Sequence, residues 1–90
     1  MADLSKRPDI TAISVDFLFT DLDTAMTFAE VAEATGVEKT ARRSRSKARR
    51  CYESVLRLLP NVALNAEQEK DIHHKLAALK ARLEAVGEQF

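Results

Sequence analysis

Only four of the 90 residues are glycine or proline, namely Pro8, Gly36, Pro60 and Gly87, and this scarcity of breakers constrains the fold most. In a chain rich in Ala, Leu, Glu, Lys and Arg, it favours long helices over a meander of short strands. Ninety residues make one domain, whose stability rests on one small core. Hydrophobic residues are 46% and charged residues 31%, a balance that excludes a wholly disordered chain.

The apolar pattern gives three helices. Thr20 with Asp21 and Asp23 reads as a helix start, because a threonine caps free amides and early acids oppose the positive dipole end. The first helix is expected over about 21–35, with Leu22, Ala25, Phe28, Ala29 and Ala32 on one face and Gly36 ending it in a left-handed conformation. The second is expected over about 38–59. Its inward stripe is Ala41, Ser44, Ala48, Cys51, Tyr52, Val55 and Leu59, and Pro60 stops it. The third is expected over about 66–86. Asn65 and Gln68 have capping-box spacing, Ile72, Leu76, Leu79, Leu83 and Val86 form a heptad-like seam, and Gly87 supplies the end. Asp71 with Lys75, and Lys80 with Glu84, are opposite charges at helical spacing. Short turns between three helices give an all-α antiparallel three-helix bundle.

The N-terminal part reads differently. Residues 1–9 are polar, contain Pro8, and are expected to be a flexible tail before a single helical domain over 10–90. From Ile10 to Phe19 a weak two-residue alternation of Ile13, Val15, Phe17 and Phe19 has no second strand to pair with. An extended or partly helical arm is expected there, laying its aromatics on the bundle or on a second copy.

Charge is balanced overall, with 14 basic and 14 acidic side chains, but unevenly spread. Residues 1–38 hold eight acids and two bases, residues 39–50 seven bases and no acid, and residues 51–90 six acids and five bases. The basic run places Arg42, Arg45 and Arg49 in one row of the second helix and Arg43, Lys47 and Arg50 in another, flanking its outer side. Two expectations follow. The run is a solvated face paired partly with Glu30, Glu33 and other acids, or Arg42, Arg43, Arg45, Lys47, Arg49 and Arg50 bind nucleic acid or another polyanion. Ser44 and Ser46 lie among these arginines, where a phosphate would find Arg42 or Arg50.

Three resemblances bear on this reading. Ala48, Tyr52, Val55 and Pro60 follow the second-helix spacing of a tetratricopeptide repeat (TPR-like), matching the second half of one repeat. The three-helix layout is similar to small microtubule-interacting-and-trafficking-type (MIT-like) bundles. Both imply a scaffold that docks another polypeptide. Phe28 to Thr40 resembles the first helix and turn of bacterial helix-turn-helix regulators, which implies that Ala32 packs on the second helix, Gly36 turns and Val37 plugs the core. In that family the positions of Arg42 and Arg45 are buried and apolar, and burying unpaired guanidiniums costs several kcal/mol.

No catalytic, metal or cofactor constellation stands out. His73 and His74 are adjacent, so a helix turns them about 100° apart, unsuited to sharing one metal. Cys51 is the only cysteine, which leaves no intrachain disulfide and favours a reducing, cytoplasmic setting. On the inward stripe it acts as a small apolar filler. No apolar run approaches the roughly 20 residues needed to span a bilayer. The reading is therefore a non-enzymatic module that binds a protein partner or forms a homo-oligomer, with Phe17, Phe19 and Phe90 as candidate partner or dimer contacts. Nucleic-acid binding through the basic helix is the alternative.

Overall fold

The computed structural model describes residues 7–90 in backbone and residues 15–90 in side chains. It consists of three helices, α1 (Arg7–Ala34), α2 (Glu38–Leu58) and α3 (Ala66–Ala85), with a short 3-10 turn over Leu59–Asn61. Among the described residues there is no strand. The expected all-α three-helix bundle is the observed fold, and the bounds of the second and third helices agree with expectation to within a residue.

The first helix does not. It continues through the segment expected to be an arm, so Thr20 stands inside α1, and of the expected tail residues 7–9 also belong to the helix. Residues 1–6 lie outside the described residues. Two physical reasons account for the difference. Pro8 is the second residue of α1, where its missing N–H has no helical partner to lose. The apolar stripe also starts earlier than Leu22: Leu18 is fully buried, so Leu18, Leu22, Ala25, Ala29 and Ala32 follow one helical line. The two-residue alternation from Ile13 to Phe19 had set Leu18 among the outward positions.

The most extensive helix contact is that of α1 with α2. Small residues allow it, with Ala25, Ala29 and Ala32 of α1 and Ser44 and Ala48 of α2 all buried. α3 closes the core with Ile72, Leu76, Leu79 and Leu83, the seam expected from the sequence, while Val86 packs partly buried against it. The inward stripe of α2 is likewise observed: Ser44, Ala48 and Val55 are buried, and Ala41, Cys51, Tyr52 and Leu59 half-buried.

The ends of the helices differ in how they are made. Asn65 forms the full capping box, its Oδ1 accepting from Gln68 N at 2.7 Å while Gln68 Oε1 accepts from Asn65 N at 3.1 Å. At the C-terminus of α3, Glu88 N donates to Leu83 O at 2.9 Å and Gly87 N to Glu84 O at 3.1 Å. This is a Schellman motif, with Gly87 at φ 104° as the residue that permits it. Gly36 does not take the expected left-handed conformation, since Gly87 is the only positive-φ glycine. The α1–α2 connection is made instead by Thr35, whose N–H donates to Val31 O and whose Oγ1 accepts from Val37 N at 3.2 Å.

Candidate docking face on helices α1 and α2

With Ser44, Ala48 and Val55 facing inward, the 3.6-residue period fixes where every cation of α2 points. The two rows expected from the sequence have different fates. Arg45 and Arg49 turn toward the C-terminal end of α3, which the Schellman turn folds back over α2. Arg45 Nη1 donates to Val86 O at 3.0 Å, and its Nε lies 3.3 Å from Glu88 Oε2. Arg49 Nη1 pairs with Glu88 Oε1 at 2.7 Å and donates to Gln89 O at 2.8 Å, while its Nε pairs with Glu53 at 2.9 Å. The hydrogen bond to Glu88 is the main reason the Arg49 guanidinium holds its proton more tightly than usual, against a smaller opposing effect of burial. Arg42 pairs with Glu38 at 3.4 Å, with both side chains well exposed.

Phe90 completes this arrangement. The Arg49 guanidinium lies 4.1 Å from its ring centroid, Lys80 Nζ lies 5.4 Å away, and Tyr52 meets it edge-on at 5.1 Å. Of the three aromatics expected as partner contacts, Phe90 is thus engaged within the chain and Phe19 packs against the core. Phe17 stands on the surface, 48% exposed, with no aromatic or cation partner among the described residues.

The other row differs, and Asp21 shares a cleft with two of its cations, Lys47 and Arg50. Among the described residues, Lys39, Arg43, Lys47 and Arg50 form no ion pair. The expected pairing of the run with Glu30 and Glu33 is not observed, because both acids face α3 and reach Arg82 at 3.5 and 3.6 Å. Asp23 points the same way, to Lys75 at 3.7 Å, which takes Lys75 away from its expected partner Asp71. Asp23, Glu30 and Glu33 of α1 are thus used on the α3 side. Glu84 and Lys80 also form no ion pair, Lys80 instead lying over Phe90.

Beside the row of Lys39, Arg43, Lys47 and Arg50 lies a cleft of about 370 Å³ between α1 and α2, lined by Phe17, Asp21 and Phe28 from α1 and by Lys47, Arg50, Cys51 and Ser54 from α2. It shares Lys47 and Arg50 with a second groove of about 410 Å³ that continues along Lys39, Arg42, Arg43 and Ser46. Lys47 Nζ sits 5.4 Å from the Phe28 ring centroid, so the ammonium borders the aromatic floor. Burial raises the Cys51 thiol above its ordinary pKa, and the Asp21 carboxylate adds to this while Arg50 opposes it. A thiol so held is protonated near neutrality and suited to packing, not to nucleophilic attack. Sequence reasoning missed Phe28, Asp21, Lys39 and Ser46 as members of this face. Fixing the phase of α2 on Ala48 and Val55 would have found the last two, since residues 39, 43, 46 and 50 then share one outer line.

Val37, which the helix-turn-helix resemblance puts in the core, is 58% exposed, and α2 runs for 21 residues where that motif has a short helix. Among the described residues no group of three His, Cys, Asp or Glu is placed to hold a metal ion, and no helix is long and apolar enough to cross a membrane. No family model, curated protein or solved structure matches the chain.

Proposed function

We propose that this protein is a non-catalytic interaction module that docks another polypeptide on the face shared by α1 and α2. The observation that carries the reading is the juxtaposition of an exposed aromatic cleft, with Phe17 and Phe28 on one wall, and cations on the other that form no ion pair among the described residues. Interfaces gain most from aromatic anchors that become desolvated, while flanking charges set orientation and rate. Both kinds of group stand here in two adjoining grooves that share Lys47 and Arg50. The TPR-like and MIT-like resemblances point to the same kind of role.

Nucleic-acid binding is the second reading, favoured by the outward line of Lys39, Arg43 and Arg50 on one helix. It leaves the Phe17–Phe28 wall without a task on a phosphate backbone, and Arg45 and Arg49 are already engaged with Glu88. Amide chemical-shift mapping separates the two readings. Isotope-labelled protein is titrated with an amphipathic helical peptide and, in parallel, with a random-sequence duplex at low salt. Docking predicts peptide-induced shifts along 17–31 and 39–54 with none from the duplex. Salt-sensitive duplex binding, with no response to peptide, would replace it by the nucleic-acid reading.

A further inference from the structure

We infer that the occupant of the α1–α2 groove is an amphipathic helix whose apolar stripe lies on Phe17 and Phe28 and whose carboxylates face Arg43, Lys47 and Arg50. This inference rests on the docking reading above and specifies its partner. The groove is the shallow channel between two antiparallel helices on the side away from the bundle interior. Two antiparallel helices packed through alanines offer such a channel to a further helix, as in a four-helix bundle.

Length and spacing define the occupant. Phe17 and Phe28 are eleven residues apart, about 16 Å along α1, so three turns of a partner helix span the aromatic wall. Lys47 and Arg50 stand on the other wall of the cleft, and Arg43 extends their row into the adjoining groove on α2, the three stepping by four and then three residues. A partner helix lying alongside presents its own flanking positions at the same steps, so Glu or Asp at i, i+4 and i+7 meets each cation in turn. This is the pairing logic of the flanking charges in coiled coils.

Charge complementarity also sets a limit on the acidic row. Asp21 lines the cleft at the Cys51 end, together with Lys47 and Arg50. A carboxylate of the partner placed over Asp21 would be repelled, so the acids belong toward Arg43 and a neutral or basic side chain belongs over Asp21. A basic helix would set its charges against Arg43, Lys47 and Arg50, with Asp21 the one acid among the described residues lining the cleft. Such a like-charge approach is unfavourable at close range and weakens with salt.

The test uses the full chain and three synthetic 18-residue peptides that share one leucine stripe and carry Glu, Gln or Lys at the flanking positions. Binding is read by fluorescence anisotropy at 50 and 500 mM NaCl, with circular dichroism verifying the fold of each variant. The Glu peptide is expected to bind at least tenfold more tightly than the Gln peptide at low salt, with the Lys peptide weakest and the preference reduced at high salt. The triple variant R43Q/K47Q/R50Q should bring the Glu peptide to the affinity of the Gln peptide, and Phe17→Ser should weaken both. Equal binding of Glu and Gln peptides would overturn the acidic-helix inference and leave the docking reading standing. Failure of all three peptides, together with salt-sensitive binding of a random duplex, would overturn both. A dimer in light scattering that Phe17→Ser dissociates would give the groove to a second copy of this chain and also overturn the inference.

Discussion

Replacing Leu18 by alanine tests the continuity of α1, the feature in which the fold departs most from what the sequence suggests. Leu18 is fully buried and belongs to the same cluster as Leu22, Val55, Ile72 and Leu76. Leu→Ala at a site with no solvent access loses transfer free energy and leaves a cavity, about 2–5 kcal/mol together. A value of about 3 kcal/mol is expected here. A domain of this size has a total stability of about 5–13 kcal/mol, so the variant keeps its fold with a much smaller margin. Each kcal/mol moves the melting temperature of a 60–100-residue domain by about 4–8 °C, which gives a fall of about 12–24 °C. Urea unfolding followed by circular dichroism measures the change, with an unaltered slope showing that both states keep their compactness. Leu56→Ala is the internal control, since Leu56 is 44% exposed and should lose under about 1 kcal/mol. If Leu18→Ala cost no more than the control, Leu18 would not be in the core, and the helix would start near Thr20 after all.

Two further outcomes are expected. Asn65→Ala should destabilise the protein by about 1 kcal/mol, because Gln68 N loses its acceptor and Asn65 N the reciprocal bond from an ordered Gln68; denaturant unfolding measures it, and no change would mean that the capping box is idle. The Cys51 thiol should titrate above an ordinary cysteine, as burial and then Asp21 disfavour the thiolate. Because its pKa is raised on folding, the associated stability is present below the unfolded-state pKa and is lost as pH rises through the folded-state value. Iodoacetamide alkylation followed over pH 7–10 should therefore lag a model peptide, and a midpoint below that peptide's would contradict the assignment.

The sequence was most legible where local chemistry and tertiary packing agree. Asn65 and Gln68 bond each other without reference to the rest of the chain, and Gly87 tolerates a backbone angle that other residues resist. The line from Ile72 to Leu83 faces inward in any bundle that buries it. The start of α1 was obscured because Val15, Phe17 and Phe19 alternate with polar neighbours, a pattern that competes with the four-and-three spacing from Leu18 onward. Pro8, read as part of a tail, is compatible with a helix at its first turn.

The candidate face was legible only in part, for a different reason. Arg42, Arg43, Arg45, Lys47, Arg49 and Arg50 are similar in local sequence, and their division depends on Glu88, about 40 residues away along the chain. Only the fold-back after Gly87 brings Glu88, Gln89 and Phe90 over Arg45 and Arg49. In the same way, whether an aromatic is engaged depends on distant partners. Phe90 meets Tyr52 and Lys80, while Phe17 lies at the surface in the cleft with Lys47 and Arg50.

Thermal unfolding of two variants tests, without any ligand, the division of one basic run into cations held by Glu88 and cations that are not. R45Q/R49Q removes the cations held by Glu88, and R43Q/K47Q/R50Q removes those without an ion pair among the described residues. The melting temperature should fall by several degrees in R45Q/R49Q and be unchanged or slightly raised in R43Q/K47Q/R50Q, where like charges are relieved. Equal losses in the two variants, or a larger loss in R43Q/K47Q/R50Q, would contradict it.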